Sequence, residues 1–271
     1  MSENTDLPVA MSIAGSDSGA GAGIQADLLT FAAHGVFGTT AITCLTAQNP
    51  DGVMAVQAAK PEFVSAQMLQ IDSYFRPRAL KTGMLYDKGI INAVCDFLES
   101  RREIPAVVDP VMVATSGAAL LCDEAMSSIR GLLLPLATLI TPNLDEAAVI
   151  LGHRPQNVPD MREAARMLNA ITGTAILLKG GHLDSHTQVT DILYTNDGKM
   201  REYSDKRVLN VNTHGSGCTL SAAIAACLAK GQPLEMAVEN ARAYLLAGMR
   251  SSIRVGRDCF IAHLVPSQTS D

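Results

Sequence analysis

The stretch Val9-Ala10-Met11-Ser12-Ile13-Ala14-Gly15-Ser16-Asp17-Ser18-Gly19-Ala20-Gly21-Ala22-Gly23-Ile24-Gln25-Ala26-Asp27-Leu28 sets the architecture. Val9–Ala14 is a short apolar run, the pattern of a strand covered on both faces. Four glycines follow in nine residues, Gly15 to Gly23. Ile24, Leu28, Phe31 and Ala32 then recur at helical spacing, so the unit reads as strand, glycine loop, helix.

The same alternation continues outward. Strands are expected at Val9–Ala14, Thr40–Ala47, Ala79–Thr82, Ala106–Asp109, Thr138–Thr141 and Ala175–Lys179. Helices are expected at about 24–34, 62–74, 88–101, 123–133, 144–151 and 160–171. Strands alternating with helices imply right-handed crossovers and a parallel sheet covered on both faces. The expected fold is α/β, a three-layer α/β/α sandwich with a mostly parallel central sheet. Two segments depart from alternation. Asn49-Pro50-Asp51-Gly52 is a turn before the alternating stretch Val53–Gln57, and Asn196-Asp197-Gly198 joins Val189–Tyr194 to Met200–Tyr203 as a hairpin. Two helices, about 217–230 and 235–250, follow each other around Gly231-Gln232-Pro233. With no linker or repeat, residues 1–271 are expected to form one domain with frayed ends at about 1–8 and 266–271.

Composition narrows the function classes. The chain has 271 residues, 48% hydrophobic and 18% charged, enough for a well-buried core. Its net charge is −6 and no basic run occurs, which argues against nucleic acid as a partner. No apolar run approaches the roughly 20 residues of a membrane span. The polar start, Met1 to Pro8, lacks the features of a signal peptide. Six cysteines, Cys44, Cys95, Cys122, Cys218, Cys227 and Cys259, include no CxxC pair, as expected of reduced thiols in a cytoplasmic protein.

Ligands of open α/β sheets bind beyond the carboxyl ends of the strands. Polar and glycine residues gather there: Gly15-Ser16-Asp17, Gln48-Asn49, Asp109, Asn143 and Lys179-Gly180-Gly181-His182. Asn212-Thr213-His214-Gly215-Ser216-Gly217-Cys218-Thr219 runs straight into an apolar helix. Glycines let successive amides converge and the helix start adds positive potential, which suits phosphate oxygens; a plain glycine-rich lead into a buried helix has the same spacing. Cys218 stands where a helix start ordinarily lowers a thiol pKa. The first glycine segment has neither a Walker ending nor a dinucleotide fingerprint, so a Rossmann dehydrogenase is disfavoured. Asp27 falls on the apolar face of its helix and needs a partner, either backbone donors near the helix start or a ligand. Asn143 with Glu146 three residues on is a capping box, sufficient as a structural reading. Asp109 reads as a strand-end carboxylate, Lys179 as a candidate phosphate cation, and His182 as a polar loop residue.

Taken in order, these segments resemble the hydroxymethylpyrimidine/phosphomethylpyrimidine kinases of the ribokinase superfamily. The resemblance spans about Ala10 to Ser251. It rests on the segments above together with Thr46-Ala47-Gln48-Asn49, Lys81-Thr82-Gly83-Met84-Leu85, Val108-Asp109-Pro110-Val111-Met112, Ser116-Gly117 and Thr141-Pro142-Asn143-Leu144-Asp145-Glu146. It implies a kinase using ATP and Mg²⁺. Hydroxymethylpyrimidine would be phosphorylated to its monophosphate and then to the pyrophosphate used in thiamine assembly. Gln48 would read the pyrimidine edge, with Gly15 and Asp27 in the same pocket and Met84 and Val111 on the ring. Asp109 and Glu146 would hold Mg²⁺, and Lys179, Asn143, Thr213 and His214 would lie beside ATP. Gly215, Ser216, Gly217 and Cys218 would form the anion hole. Cys218 occupies the position of the aspartate base of sugar kinases, either as base or as the group that positions the hydroxyl. A homodimer is the family expectation. Ser18-Gly19-Ala20-Gly21, Ser216 and the late stretch Val255-Gly256-Arg257-Asp258 depart from the family pattern. Pyridoxal kinase is the alternative activity, and a non-catalytic pyrimidine sensor the alternative class.

Overall fold

The structure, a computed structural model, describes residues 6–112, 123–183 and 187–263. Ser116-Gly117, Cys122 and the expected frayed tail from 266 lie outside the described residues, as do residues 1–5. Pro8, expected within a frayed end, is tied down: its carbonyl accepts from Phe37 N–H at 2.8 Å.

Nine strands form the central sheet in the order β3-β2-β1-β4-β5-β6-β7-β8-β9. They are β1 (Val9–Asp17), β2 (Phe37–Asn49), β3 (Gly52–Ala58), β4 (Ala79–Thr82), β5 (Ala106–Val108), β6 (Leu139–Ile140), β7 (Ala175–Leu178), β8 (Gln188–Tyr194) and β9 (Met200–Lys206). The six strands from β2 to β7 pair in parallel, and β3, β8 and β9 add antiparallel edges. The winding turns back at β1, flanked by β2 on one side and β4 on the other. Such a reversal opens a crevice at the carboxyl ends of the strands.

The pleat divides the core. Met11, Ile13, Leu80, Val108, Ile140 and Ile176 face α2 (Pro61–Phe75), α3 (Lys88–Glu99), α4 (Asp123–Ser128), α5 (Leu144–Leu151) and α6 (Val158–Thr172). Ala10, Ala79, Val107, Leu139 and Leu177 face α1 (Gly23–Ala33), α7 (Ser216–Ala229) and α8 (Leu234–Arg250). Because side chains alternate across a strand, the residue two along each run shares this second face. That parity puts Ser12, Lys81, Asp109, Thr141 and Lys179 in one row on the α7 side of the sheet.

Two elements differ from expectation. The single helix expected at about 123–133 is α4 followed by a π turn at Ile129–Leu133 and a 3₁₀ turn at Leu134–Leu136. Pro135 has no N–H to continue the helical ladder, which changes pitch as it approaches that residue. A short hairpin, β10 (Ile253–Val255) and β11 (Asp258–Phe260), was not expected. It turns on Gly256 at φ +61° and braces the segment before α7, with Asn212 N–H donating to Cys259 O at 2.7 Å. No helix among the described residues is long and apolar enough to cross a membrane.

Candidate active site

A cleft of about 840 Å³ opens along the carboxyl ends of the strands and under the start of α7. Gly15, Gln48, Met84 and Val111 line one end, where β1, β2 and β4 stop. Asp109, Asn143, Glu146 and Lys179 line the middle, and Thr213, Gly215, Ser216, Gly217 and Cys218 form the wall above.

The first end is organised by Asp17. Its carboxylate accepts from the amides of Gly19 (2.8 Å) and Ala22 (2.9 Å), folding the glycine loop around it. Its second oxygen also meets His214 Nε2 at 2.9 Å. Burial works against the Asp17 charge, yet His214 and the two amides hold its pKa below the usual carboxylate range. His214 Nε2 lies 3.4 Å from Gln48 Nε2. His214 therefore stands at the Gln48 end of the cleft, drawn there by its neighbour Asp17. Thr46 Oγ1 donates to Gln48 Oε1 at 3.1 Å, which fixes the amide's orientation. Gly15 is required here: a methyl group on it would come 2.8 Å from Cys44 Sγ.

The middle is an alternation of buried charges. Asp109 Oδ1 accepts from Lys179 Nζ (2.9 Å) and Thr141 Oγ1 (3.0 Å). Burial pushes the Asp109 pKa up, but Lys179 and Lys81 outweigh it and hold the carboxyl low. Asn143 caps α5 by accepting from the amides of Asp145 and Glu146 at 2.8 and 2.9 Å. Glu146 Oε2 in turn accepts from Asn143 N–H at 2.8 Å, so the capping box is complete. The same box holds Glu146 near Asp109; burial, with Asp109 adding to it, lifts the Glu146 pKa to about 7.

Above this row, Gly215 adopts φ +79° and its carbonyl accepts the first helical bond, from Thr219 N–H at 2.8 Å. Ser216 N–H turns back to Thr213 O at 3.0 Å. Between these two bonds, the amides of Gly217 and Cys218 have no backbone acceptor among the described residues. A methyl group on Gly217 would stand 3.3 Å from Lys179 Nζ and 3.4 Å from Asp109 Oδ2. The helix start, a lysine and a carboxylate thus converge on one space.

Two sequence expectations are corrected. Asp27 does not line the cleft. It is fully buried behind it, bonded to Lys81 Nζ at 2.8 Å and to Ser12 Oγ, because its helix packs that face against the sheet. The Cys218 thiol is not lowered by the helix start. Burial pushes its pKa up to about 11, and Asp27 and Asp109 add to the rise against Lys81 and a Gly23 backbone hydrogen bond.

Sequence reasoning passed over Lys81, the Arg242 anchor and an apolar lobe of the cleft. Lys81 is fully buried yet borders the cleft; one lysine in an apolar tetrad carried no signal of this. Arg242 on α8 pairs with Asp191 and, at 2.8 Å, with Asp205. Asp191 also takes Gly180 N–H at 2.8 Å, so α8 anchors the turn that follows Lys179. Beyond it the cleft gains an apolar lobe from Val208, Leu245, Leu246 and Met249. His182, read as a polar loop residue, borders the cleft with its Nδ1 held by Asp145 at 2.9 Å.

The phosphomethylpyrimidine kinase family matches residues 17–263. A hydroxymethylpyrimidine/phosphomethylpyrimidine kinase of Rhizobium meliloti is 50% identical over 250 residues, covering 91% of this chain and 92% of the relative. The Escherichia coli enzyme of the same name is 42% identical over 89% of this chain and 90% of its own. Among solved structures, phosphomethylpyrimidine kinase from Clostridium difficile superposes with a TM-score of 0.79 at 38% identity, covering 89% of this chain and 99% of that one. An ADP complex of Bacillus subtilis pyridoxal kinase reaches 0.86 at 33% identity, over 95% and 98%.

Proposed function

This chain belongs to the phosphomethylpyrimidine kinase family, and on that premise we propose how its cleft carries out the family's chemistry. The protein is an ATP-dependent kinase of thiamine biosynthesis that phosphorylates 4-amino-5-hydroxymethyl-2-methylpyrimidine and then its monophosphate. The observation that carries the assignment of roles is the convergence of the Gly217 and Cys218 amides with Lys179 and Asp109 on one space beneath α7.

Phosphoryl transfer needs alignment of nucleophile and leaving group, and neutralisation of the phosphoryl oxygens. The Gly217 and Cys218 amides at the positive end of α7 meet those oxygens. Lys179 neutralises nucleotide phosphate, with Asn143 and Thr213 alongside. The apolar lobe between α7 and α8 takes the base of ATP. At the other end Gln48 reads the pyrimidine edge, Met84 and Val111 cover the ring, and Gly15 lets it approach the backbone.

Mg²⁺ fits the residues present. No cluster of three or more metal-binding side chains occurs among the described residues, and the donor set is the buried carboxylate pair Asp109 and Glu146. One or two carboxylates plus waters and phosphate oxygens is the usual setting for this ion. Its charge would stabilise the phosphate oxygens and would favour the ionised form of Glu146, which burial and the neighbouring Asp109 carboxylate disfavour. Cys218 rests as a thiol, so its sulfur orients the substrate hydroxyl beneath the amides rather than standing ready as a thiolate. The chain acts in the cytoplasm as a homodimer.

A competition turnover assay with hydroxymethylpyrimidine, its monophosphate and pyridoxal tests the reading. Consumption of both pyrimidines with a lower kcat/KM for pyridoxal is expected. A much larger kcat/KM for pyridoxal would instead make this a pyridoxal kinase, the activity of the Bacillus subtilis structural neighbour.

A further inference from the structure

Lys81 is a lysine with no exposed surface in the second strand of the winding reversal. It stands opposite Ser12 of β1 in the parallel register, and both side chains reach Asp27 of α1. Ion pairs this deep ordinarily gain less from attraction than they lose in hydration, and apolar side chains of similar size hold such positions at least as well. Ala10, Ala79 and Val107 do so one pleat below. Stability alone therefore does not account for the pair. A second feature calls for an explanation: Asp27 Oδ1 is buried with no hydrogen-bond partner among the described residues.

What distinguishes Lys81 from other core positions is its neighbour. It borders the cleft beside Cys218, and charge on either is felt by the other. Gly83 leaves the ammonium its room, since a methyl group there would come 3.0 Å from Nζ. Around Cys218 the charged groups include Asp27 and Asp109, both unfavourable to negative charge, and Lys81 and Lys179, which are favourable. Lys179 is hydrogen-bonded to Asp109, whereas Lys81 is held by Asp27. We propose that Lys81, held by Asp27 opposite Ser12, is a positioning residue for phosphoryl transfer, supplying positive charge from the α7 face of the sheet to the space around the Cys218 sulfur and the substrate hydroxyl. Asp27 is thereby the holder of that cation and not a substrate contact. The inference rests on the placement of the substrate hydroxyl at Cys218.

The test removes both charges together, because Lys81→Met alone would strand a buried carboxylate. In Lys81→Met/Asp27→Asn the expected melting temperature stays within a few degrees of the parent, and KM for the pyrimidine alcohol within about threefold. The expected kcat falls at least about 30-fold, and alkylation of Cys218 by iodoacetamide, followed on its peptide by mass spectrometry, slows at least about threefold. A folded double variant with kcat within threefold of the parent overturns the proposal. So does a fall in kcat with Cys218 alkylation unchanged, since Lys81 would then act elsewhere. If the methionine variant does not fold, Lys81→Gln/Asp27→Asn, which keeps a hydrogen bond across the pair, carries the same test. Cys218→Ala measured alongside separates the two levels: full turnover in that variant removes Cys218 from the site, whereas lost turnover there with retained turnover in the double variant removes only Lys81.

Discussion

The two halves of the cleft are built from different chemistry. At the Gln48 end the groups are an amide, an imidazole, loop N–H donors and one carboxylate consumed in bracing them. In the middle, buried charges alternate: Asp27, Lys81, Asp109, Lys179 and Glu146. Hydrogen bonds to a ring edge discriminate between substrates, because an unmatched partner leaves a buried polar group unsatisfied. Fixed charges in a closed site stabilise charge as it moves. On the proposed assignment of roles, the first half governs which molecule binds and the second how fast phosphate leaves ATP.

That division can be broken by experiment. The largest effect is expected from Gly217→Val, whose side chain would fill the space against the Lys179–Asp109 pair. Turnover should drop on the order of 10³-fold with pyrimidine affinity retained, as read by steady-state kinetics and calorimetry with the alcohol alone. Loss of pyrimidine affinity instead would mean the halves are not separable. Cys218→Ala should cut kcat about 10²-fold, the scale of a group acting on the transferred proton or its oxygen, again sparing pyrimidine binding. Unaltered kcat would assign the sulfur to packing.

Gln48→Ala probes the opposite half. It should weaken pyrimidine binding by about 1–3 kcal/mol while kcat changes little, measured by titration calorimetry and saturation kinetics. A fall confined to kcat would overturn the recognition role.

The smallest effect concerns stability. Because the folded pKa of Glu146 is raised to about 7, its favourable contribution to the metal-free protein is present below the unfolded value near 4.5 and is lost as pH rises towards 7. The slope is at most about 1.4 kcal/mol per pH unit. Glu146→Gln should flatten the dependence of melting temperature between pH 5 and 7, and added Mg²⁺ should do the same for the parent. An unchanged slope in the variant would place the titration elsewhere.

Much of this was legible along the chain. The strand runs, the hairpin at Asn196-Asp197-Gly198, the glycine segment leading into α7 and the capping box of Asn143 and Glu146 all depend on neighbours within a few residues. The charged row was not. Lys81 reads in sequence as one polar residue in Ala-Leu-Lys-Thr, and Asp27 as a carboxylate in search of a partner 54 residues away. The surroundings of His214 and the resting state of Cys218 were hidden for the same reason: the carboxylate that draws the histidine to Gln48, and the burial that raises the thiol, come from other elements.

Periodicity, glycine spacing and capping act over one turn or one pleat, and these short-range forces wrote the α/β alternation and the location of the cleft into the chain. The ion pairs, the thiol's resting state and the division of the cleft into two kinds of chemistry arose from packing. A buried charge takes its partner and its pKa from whatever lies a few ångströms away, and in this sheet those neighbours belong to strands and helices far apart in sequence.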